Sequence, residues 1–471
     1  MNPTETAVAS LPPEIVVLDQ DIISKYVTDF RQLYSGRTYA VLRPRSVEEV
    51  QLIASTLLKH RVPIVPQGGN TSYCTAATPD RSGSEVVVSL ERLNKVREVD
   101  AGNLSMTVDA GCILSTLHEA AFDKDLLFPL SLGSQQSCQI GGNISTNAGG
   151  IAVIKYGMTR DIVLGLEVVL PDGSLLTDLS PLRKNNSGYD VKQLFIGAEG
   201  TLGIITGASL KLARKPRTIV TAFLAIADVS ELPKLLDRAQ RFTGESITSF
   251  EYISRNSLEL LIAKRTSLRH PLAAPSEHYV LLEAATSSHL LDIKGALDAL
   301  LEELMIEGLV VDGAVASSEE QRNHFWHLRE NIPEGEVLNG GSVKHDISIR
   351  TSRLGTFIEQ ASQLVLSNAP DSILSIYGHV GDGNVHFNVV PPANAVPSEF
   401  KKKFELTVSP LIYDLVASTG GSFSAEYGIG RVKLHLLAKY GNATKVATMK
   451  KIKDALDPTG YMNPGKVVAP S

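Results

Sequence analysis

From Leu126 to Ile154 the chain carries no charged residue at all. A run this long without charge is either a membrane span or a segment whose backbone must come close to something. Ser, Gln, Asn and Gly fill it, so it does not read as a span. Its glycines are clustered, at Gly133, in Gly141-Gly142-Asn143 and in Asn147-Ala148-Gly149-Gly150. A second cluster, Pro66-Gln67-Gly68-Gly69-Asn70-Thr71-Ser72, follows the strand-like run Ile64–Pro66. Glycine lets successive backbone N–H groups converge on an anion with no Cβ in the way. The missing charge fits close backbone approach to an extended ligand rather than binding through salt bridges. No GxGxxG follows a strand, and Gly197-Ala-Glu-Gly200-Thr-Leu-Gly203 has the wrong register for a dinucleotide fingerprint. No GxxxxGK[ST] occurs either, so neither a nicotinamide Rossmann site nor a P-loop is supported.

The 471 residues correspond to about three domains at ~150 residues each. Lys and Arg number 45 against 51 Asp and Glu, a net charge of −6, which is not the basic footprint of a nucleic-acid binder. Cys74, Cys112 and Cys138 are odd in number and far apart, with no CxxC, so they read as buried hydrophobes in a reducing compartment. Residues 1–13 contain no Lys or Arg and no apolar core of a signal peptide, which makes the cytoplasm the default expectation. Ser46-Val-Glu-Glu49 predicts a capping box opening a helix with Val47, Val50, Ile53 and Leu57 on one face. Strands are expected at 85–90, 105–109, 163–170 and 201–212. Beyond residue 215 glycine becomes rarer, and amphipathic helices are expected at 230–242, 290–307, 318–331, 353–366 and 400–417. Strands at 279–284 and 373–379 alternate with them, and a last helix is expected over 434–456.

Tyr377-Gly-His-Val-Gly-Asp-Gly-Asn-Val-His-Phe-Asn388 is the most informative stretch of the second half. On one straight strand His379 and His386 would face opposite sides. Asp382-Gly383 is a two-residue turn signal, and folding there pairs 379 with 386 on one face, with Asn388 sharing it. Two such histidines suit a divalent metal, and a carboxylate would complete an open site. Glu426 is the candidate, a lone acid in the glycine-rich Gly420–Gly430 turn.

The Pro66–Ser72 turn, Cys138-Gln-Ile-Gly-Gly-Asn-Ile-Ser-Thr-Asn-Ala-Gly-Gly150 and Gln193-Leu-Phe-Ile-Gly-Ala-Glu-Gly-Thr-Leu-Gly-Ile-Ile205 resemble the FAD-binding domain of the vanillyl-alcohol-oxidase type. Within it the pattern is similar to FAD-linked D-2-hydroxyacid dehydrogenases: D-lactate dehydrogenases, glycolate oxidase flavin subunits and D-2-hydroxyglutarate dehydrogenases. The resemblance implies an α+β fold, with an FAD-binding domain over 1–215 and an α+β substrate and metal-binding cap over 216–425. A C-terminal segment, 426–471, would return to the flavin. It implies FAD contacts from Pro66, Gly68, Gly69, Asn70, Thr71 and Ser72 at the pyrophosphate. Gly133, Ser137, Gly141, Gly142, Ser145 and Asn147 would line the cofactor further along, Glu199 and Ile204 would hold the adenosine side, and Asn463 would lie near the flavin ring. The first glycine turn has no histidine, so the FAD is expected to be non-covalent. The family's metal-binding members carry both the histidine pair and the glutamate, with zinc the first choice and Mn²⁺ or Fe²⁺ open. Arg329 and Lys344 match segments that hold the substrate carboxylates.

Two departures stand out. The residue after the metal-binding glutamate is usually a histidine base, and here it is Tyr427. An unperturbed phenol has a pKa near ~10 and is a poor base at neutral pH. An activated Tyr427, a metal-bound hydroxide or His345 would then take the proton, or the activity differs. Four residues after Arg329, where hydroxyglutarate enzymes place a threonine, stands Pro333, which donates no hydrogen bond. D-2-hydroxyglutarate, D-lactate and D-malate all remain open as substrates. Electrons would pass to an electron-transfer flavoprotein, a cytochrome or a quinone, and a homodimer stays open. The alternatives are the same scaffold acting on another alcohol, a catalytically weak electron-transfer subunit, and a metallohydrolase without flavin.

Overall fold

The computed structural model describes residues 2–469 and divides the chain into two compact units. The first takes the chain from its N-terminus to Gly149, Gly157–Lys215, and the segment from Glu426 onward; the second takes Gly150–Tyr156 and Pro216–Ala425.

In the first unit, a sheet runs in the order Val16–Val17, Val41–Leu42, Val86–Ser89, Ile64–Gln67, and its last three strands are parallel. Helix Val47–Lys59 lays Val50, Ile53, Ala54 and Leu57 into the core, as its periodicity predicts. Its cap differs from the expected box. Ser46 Oγ accepts from the Glu49 N–H at 3.3 Å, but the Glu49 carboxylate takes the Arg45 N–H at 2.6 Å. A second, antiparallel sheet runs Val96–Asp100, Ser105–Asp109, Ile204–Lys211, Val163–Val169, Leu175–Asp178. The two share one apolar core with Phe128, Ile140, Ile144, Phe195 and Met462.

The second unit is built on a seven-stranded antiparallel sheet. Its order is Val310–Val315, Thr218–Ile226, His278–Thr286, Ile247–Ser254, Ile373–His379, Asn384–Val390, Asp346–Ser348. Side chains alternate across it. One face, with Leu224, Phe250, Val280, Leu282, Ile376 and Phe387, packs on helices Leu232–Thr243, Ile293–Ile306 and Leu354–Asn368. The other carries Phe223, Ile253, Tyr279, Leu281 and Tyr377 against Phe325, Trp326, Leu328 and Ile332 of the helical pair Glu319–Glu330 and Ile332–Leu338. Along that second face the apolar residues give way to Glu251, His379, His386 and Asn388, all buried.

Two expected helices are broken. The 400–417 run is two helices, Pro397–Thr407 and Ser409–Ser418, because Pro410 cannot donate the N–H that a continuous helix needs. The 434–456 run splits into Leu434–Tyr440 and Ala443–Leu456 at Gly441-Asn442, and Asn442 caps the second by accepting from the Lys445 N–H.

Candidate functional site

In the first unit the turn at Gly68-Gly69 packs against the segment that leads into the helix Ile140–Thr146. Strand Ile64–Gln67 ends at Gly68-Gly69, where a Cβ on Gly69 would lie 2.1 Å from Ser137 O. A side chain there would push the two glycine segments apart. A Cβ on Gly141 would lie 2.7 Å from that of Ala110, so this glycine lets the short helix Ile140–Thr146 seat against the sheet. Gly142 and Gly133 have no neighbour within 4 Å of such a Cβ, so each faces open space. Asn70 is left-handed, φ +53°, and donates from Nδ2 to Thr28 O at 2.8 Å. Ser72 Oγ accepts from the Cys74 N–H. Ser145 Oγ donates to Gly141 O, and Asn147, at φ +49°, accepts the Arg160 N–H. Ser137 and Gly133 sit on an exposed loop, while Ile204 is a core residue of its strand.

Glu199 and Asn463 hold the C-terminal return. The Glu199 carboxylate is buried and accepts the N–H groups of Ile429 at 2.7 Å and Gly430 at 2.9 Å. Burial pushes this carboxyl up to about 7, against those two donors and Lys433. Asn463 donates from Nδ2 to Ala76 O and Glu199 O, and its own N–H goes to Ile64 O. Tyr427 lies on this returning segment and stacks on Tyr73, which follows the first glycine turn. Lys433 Nζ is 5.7 Å from the Tyr427 ring centroid.

Buried polar atoms nearly always have a partner. In the first unit, Gln139 Oε1, Thr75 Oγ1, Thr78 Oγ1 and Asn463 Oδ1 are buried with none among the described residues. Gln139 Oε1 sits 3.6 Å from where a Gly68 Cβ would be, so it faces the first glycine turn. An orphaned oxygen facing the first glycine turn fits a polar, extended cofactor such as FAD. Gln139 and Tyr73 were not singled out from sequence.

In the second unit the hairpin forms, but its register differs from the expected one by two residues. Tyr377 pairs with His386 and His379 with Asn384, so the loop is Val380–Gly383. Gly383, at φ +76°, lies where a Cβ would meet Ile349 O at 1.9 Å, and a Cβ on Gly381 would strike Ile154. The wider loop follows from those two close approaches. A shift of two preserves the face. The histidines are therefore diagonal neighbours, with ring centroids 5.7 Å apart at 80° and a ring nitrogen from each within 4.8 Å of the other.

Glu251 is fully buried on the neighbouring strand, directly opposite His379. Its Oε1 is 2.7 Å from His379 Nδ1, and its Oε2 is 3.0 Å from Arg329 Nε and 2.7 Å from Nη2. Burial opposes its ionisation, yet His379 and Arg329 together hold the carboxyl below its ordinary value. The Arg329 guanidinium lies over the Tyr377 ring, 4.8 Å from its centroid. Arg329 Nη2, for all its closeness to Glu251, is buried without a well-aligned hydrogen bond.

The other expected cation is likewise matched by a buried acid. Lys344 Nζ is 2.7 Å from Glu336 Oε2, which also accepts from Ser342 Oγ. Glu336 Oε1 accepts from Asn388 Nδ2, which lies 3.2 Å from Tyr377 Oη. Neither Glu251 nor Glu336 was singled out from sequence. His345 is no candidate base. It is fully buried, with Nδ1 against Phe387 O and Nε2 against Ser409 Oγ, each at 2.8 Å. Its neighbour Asp346 points the other way. Asp346 pairs with His386 across the sheet, accepts from Asn384 Nδ2 and takes the N–H of Ala425. Glu426 is the residue that follows Ala425.

Comparison with known proteins follows this division of labour. The family model described as "FAD binding domain" matches residues 38–178, and "FAD linked oxidases, C-terminal domain" matches 215–467. The "Probable D-2-hydroxyglutarate dehydrogenase, mitochondrial" of Oryza sativa subsp. japonica is 39% identical over 458 residues, 97% of this chain and 80% of that protein. The D-2-hydroxyglutarate–pyruvate transhydrogenase of Saccharomyces cerevisiae is 35% identical over 464 residues, 97% of this chain and 90% of that one. Among solved structures, p-cresol methylhydroxylase with substrate bound superposes with a TM-score of 0.76 at 16% identity, covering 98% of this chain and 96% of the other. That likeness gives the vanillyl-alcohol-oxidase-type α+β fold.

Proposed function

The chain belongs to the FAD-linked oxidase family, and from that premise we propose that it oxidises a D-2-hydroxyacid to the 2-oxo acid with non-covalent FAD and a divalent metal. The observation that carries the reading is the buried Arg329–Glu251–His379 chain beside His386. There a buried guanidinium from the Glu319–Glu330 helix lies beside two imidazoles of the sheet face, a set that would suit a carboxylate and a metal together. D-2-Hydroxyglutarate, D-lactate and D-malate are the substrates to compare. Pro333, inside the Ile332–Leu338 helix, brings no donor for a second carboxylate.

Pro66, Gly68, Gly69, Asn70, Thr71, Ser72, Gly142 and Gln139 would hold the FAD, which when bound supplies the two-electron acceptor for the C2 hydrogen. His379 and His386 would hold the metal through nitrogens that already converge. A two-histidine set completed by a carboxylate suits zinc first, with Mn²⁺ and Fe²⁺ as alternatives. Glu426 is the third ligand in this reading. Ala425 is pinned to Asp346, the strand partner of His386, and Glu426 is the next residue in the chain. A cation there supplies Lewis-acid polarisation of an alcohol.

The chain's own residues do the rest. Arg329 uses its unaligned buried Nη2 to orient the C1 carboxylate, and Lys344 adds positive charge, part-neutralised by Glu336. Tyr427, held by its stack on Tyr73, is the residue that takes the hydroxyl proton in this reading. Electrons leave to an electron-transfer flavoprotein, a cytochrome or a quinone. The yeast relative's name raises a 2-oxo acid as a further acceptor. Among the described residues no helix is long and apolar enough to cross a membrane. The rice relative's name places that protein in mitochondria, against the cytoplasmic default.

The test is an anaerobic visible spectrum of metal-replete protein mixed with a panel of D- and L-2-hydroxyacids. Bleaching by one D-acid supports the reading and names the substrate. A band that persists with every acid leaves the flavin fold and removes the hydroxyacid reaction.

A further inference from the structure

We propose that Glu251 is a positioning residue that sets His379 for metal binding and Arg329 for substrate at the same time. The inference rests on the metal-assisted reading above. Glu251 is fully buried, and each carboxylate oxygen is committed to a different partner: Oε1 to His379 Nδ1 at 2.7 Å, Oε2 to the Arg329 guanidinium. A buried carboxylate survives only where its charge is matched by good partners. Here the two partners are both groups the reaction needs. In the neutral ring, donating Nδ1–H to Glu251 makes Nε2 the unprotonated nitrogen of His379, the better donor, and fixes the ring plane. The strand pairing sets the distance, because Glu251 lies directly opposite His379 across the Ile247–Ser254 and Ile373–His379 ladder.

Two measurements test this, and the first needs no metal. ¹⁵N-histidine spectra of the metal-free wild type, assigned through H379N, should show His379 protonated at Nδ1 and not at Nε2. The opposite tautomer overturns the proposal. The second is the affinity for Co²⁺, read from its visible absorption. In E251Q it should fall about 10- to 100-fold, and KM for the hydroxyacid should rise in the same variant. If E251Q fails to fold, E251M/R329M removes both charges without stranding either. That pair should show the same Co²⁺ loss and a mixed His379 tautomer. Folded variants that bind Co²⁺ as tightly as wild type overturn the role. A wild type that binds no Co²⁺ but keeps the Nδ1–H tautomer refutes the metal reading and with it the metal half of this inference. The hold on Arg329 then stands or falls on KM.

Discussion

Tyr427 stacks on Tyr73 with ring centroids 4.5 Å apart and planes 23° from parallel. The residue standing where a histidine base was expected is thus held by a partner just after the first glycine turn, which Phe30 supports edge-on at 5.9 Å. Offset stacking of this kind contributes about 1 kcal/mol beyond area burial, enough to fix a ring. Tyr427→Phe keeps the stack and removes only the hydroxyl. Single-turnover flavin reduction should fall by roughly 10²- to 10⁴-fold, the range for loss of a general base, with FAD content unchanged. Stopped-flow absorbance checks this, and a variant that reduces at the native rate removes Tyr427 from the reaction. Tyr427→His reports on adaptation, because a gain in turnover would show that the native phenol limits the rate.

Gly69 and Gly142 should answer the same substitution differently. A Cβ on Gly69 meets the Ser137 carbonyl oxygen, a backbone atom that cannot step aside, whereas one on Gly142 meets nothing within 4 Å. Gly69→Ala should therefore destabilise the FAD-free protein by about 2–4 kcal/mol, the size of a severe steric fault. Gly142→Ala should leave its melting temperature nearly unchanged and weaken FAD binding at least ~10-fold, because the methyl takes space proposed here for the cofactor. Thermal melts with and without FAD separate the two. Equal melting curves for both variants would contradict this account of the cradle.

Sequence carried the local chemistry of both units and missed their long-range pairings. The turn at Gly68-Gly69 was legible from its glycines without charge, whereas Gly141-Gly142 lie within the helix Ile140–Thr146 rather than in a turn. That His379 and His386 share a face followed from the two-residue period of a strand. Their register did not, because the loop is set by Gly381 against Ile154 and Gly383 against Ile349, contacts distant in the chain. Glu251 went unseen for the same reason, since the sheet brings it to His379 from 128 residues away. A signal was present: Glu251 is a lone acid among the eight buried residues Ile247–Ser254, the same oddity that drew attention to Glu426. His345 was weighed as a base from its place in sequence, yet strand alternation turns it into the core.

Chelation should separate the two halves of the chemistry. The residues proposed for FAD lie in the first unit, while both histidines lie in the second. Prolonged EDTA treatment should therefore abolish substrate-driven bleaching while leaving the oxidised flavin spectrum intact. Zinc or Mn²⁺ should restore the reaction in wild type, and His386→Asn should block that restoration. Full activity in protein shown by elemental analysis to be metal-free would exclude the cation from the mechanism.

Glu199 predicts a pH dependence of stability with a definite sign. Its carboxyl is buried and raised to about 7 in the folded chain, against 4.5 as its ordinary value. The folded state therefore binds this proton more tightly than the unfolded one. The stabilisation it brings is complete below pH 4.5, declines as pH rises toward 7, and is absent above. Around it face the N–H groups of Ile429 and Gly430 and the Lys433 ammonium, which oppose the shift without cancelling it. Glu199→Gln keeps an acceptor oxygen for one of the two N–H groups and removes the titration. Its melting temperature relative to wild type should be about 2–4 °C more favourable at pH 8 than at pH 5. Scanning calorimetry at the two pH values decides it. A difference of the opposite sign would mean that the ionised carboxylate, held by those two amides and Lys433, is what clamps the C-terminal return.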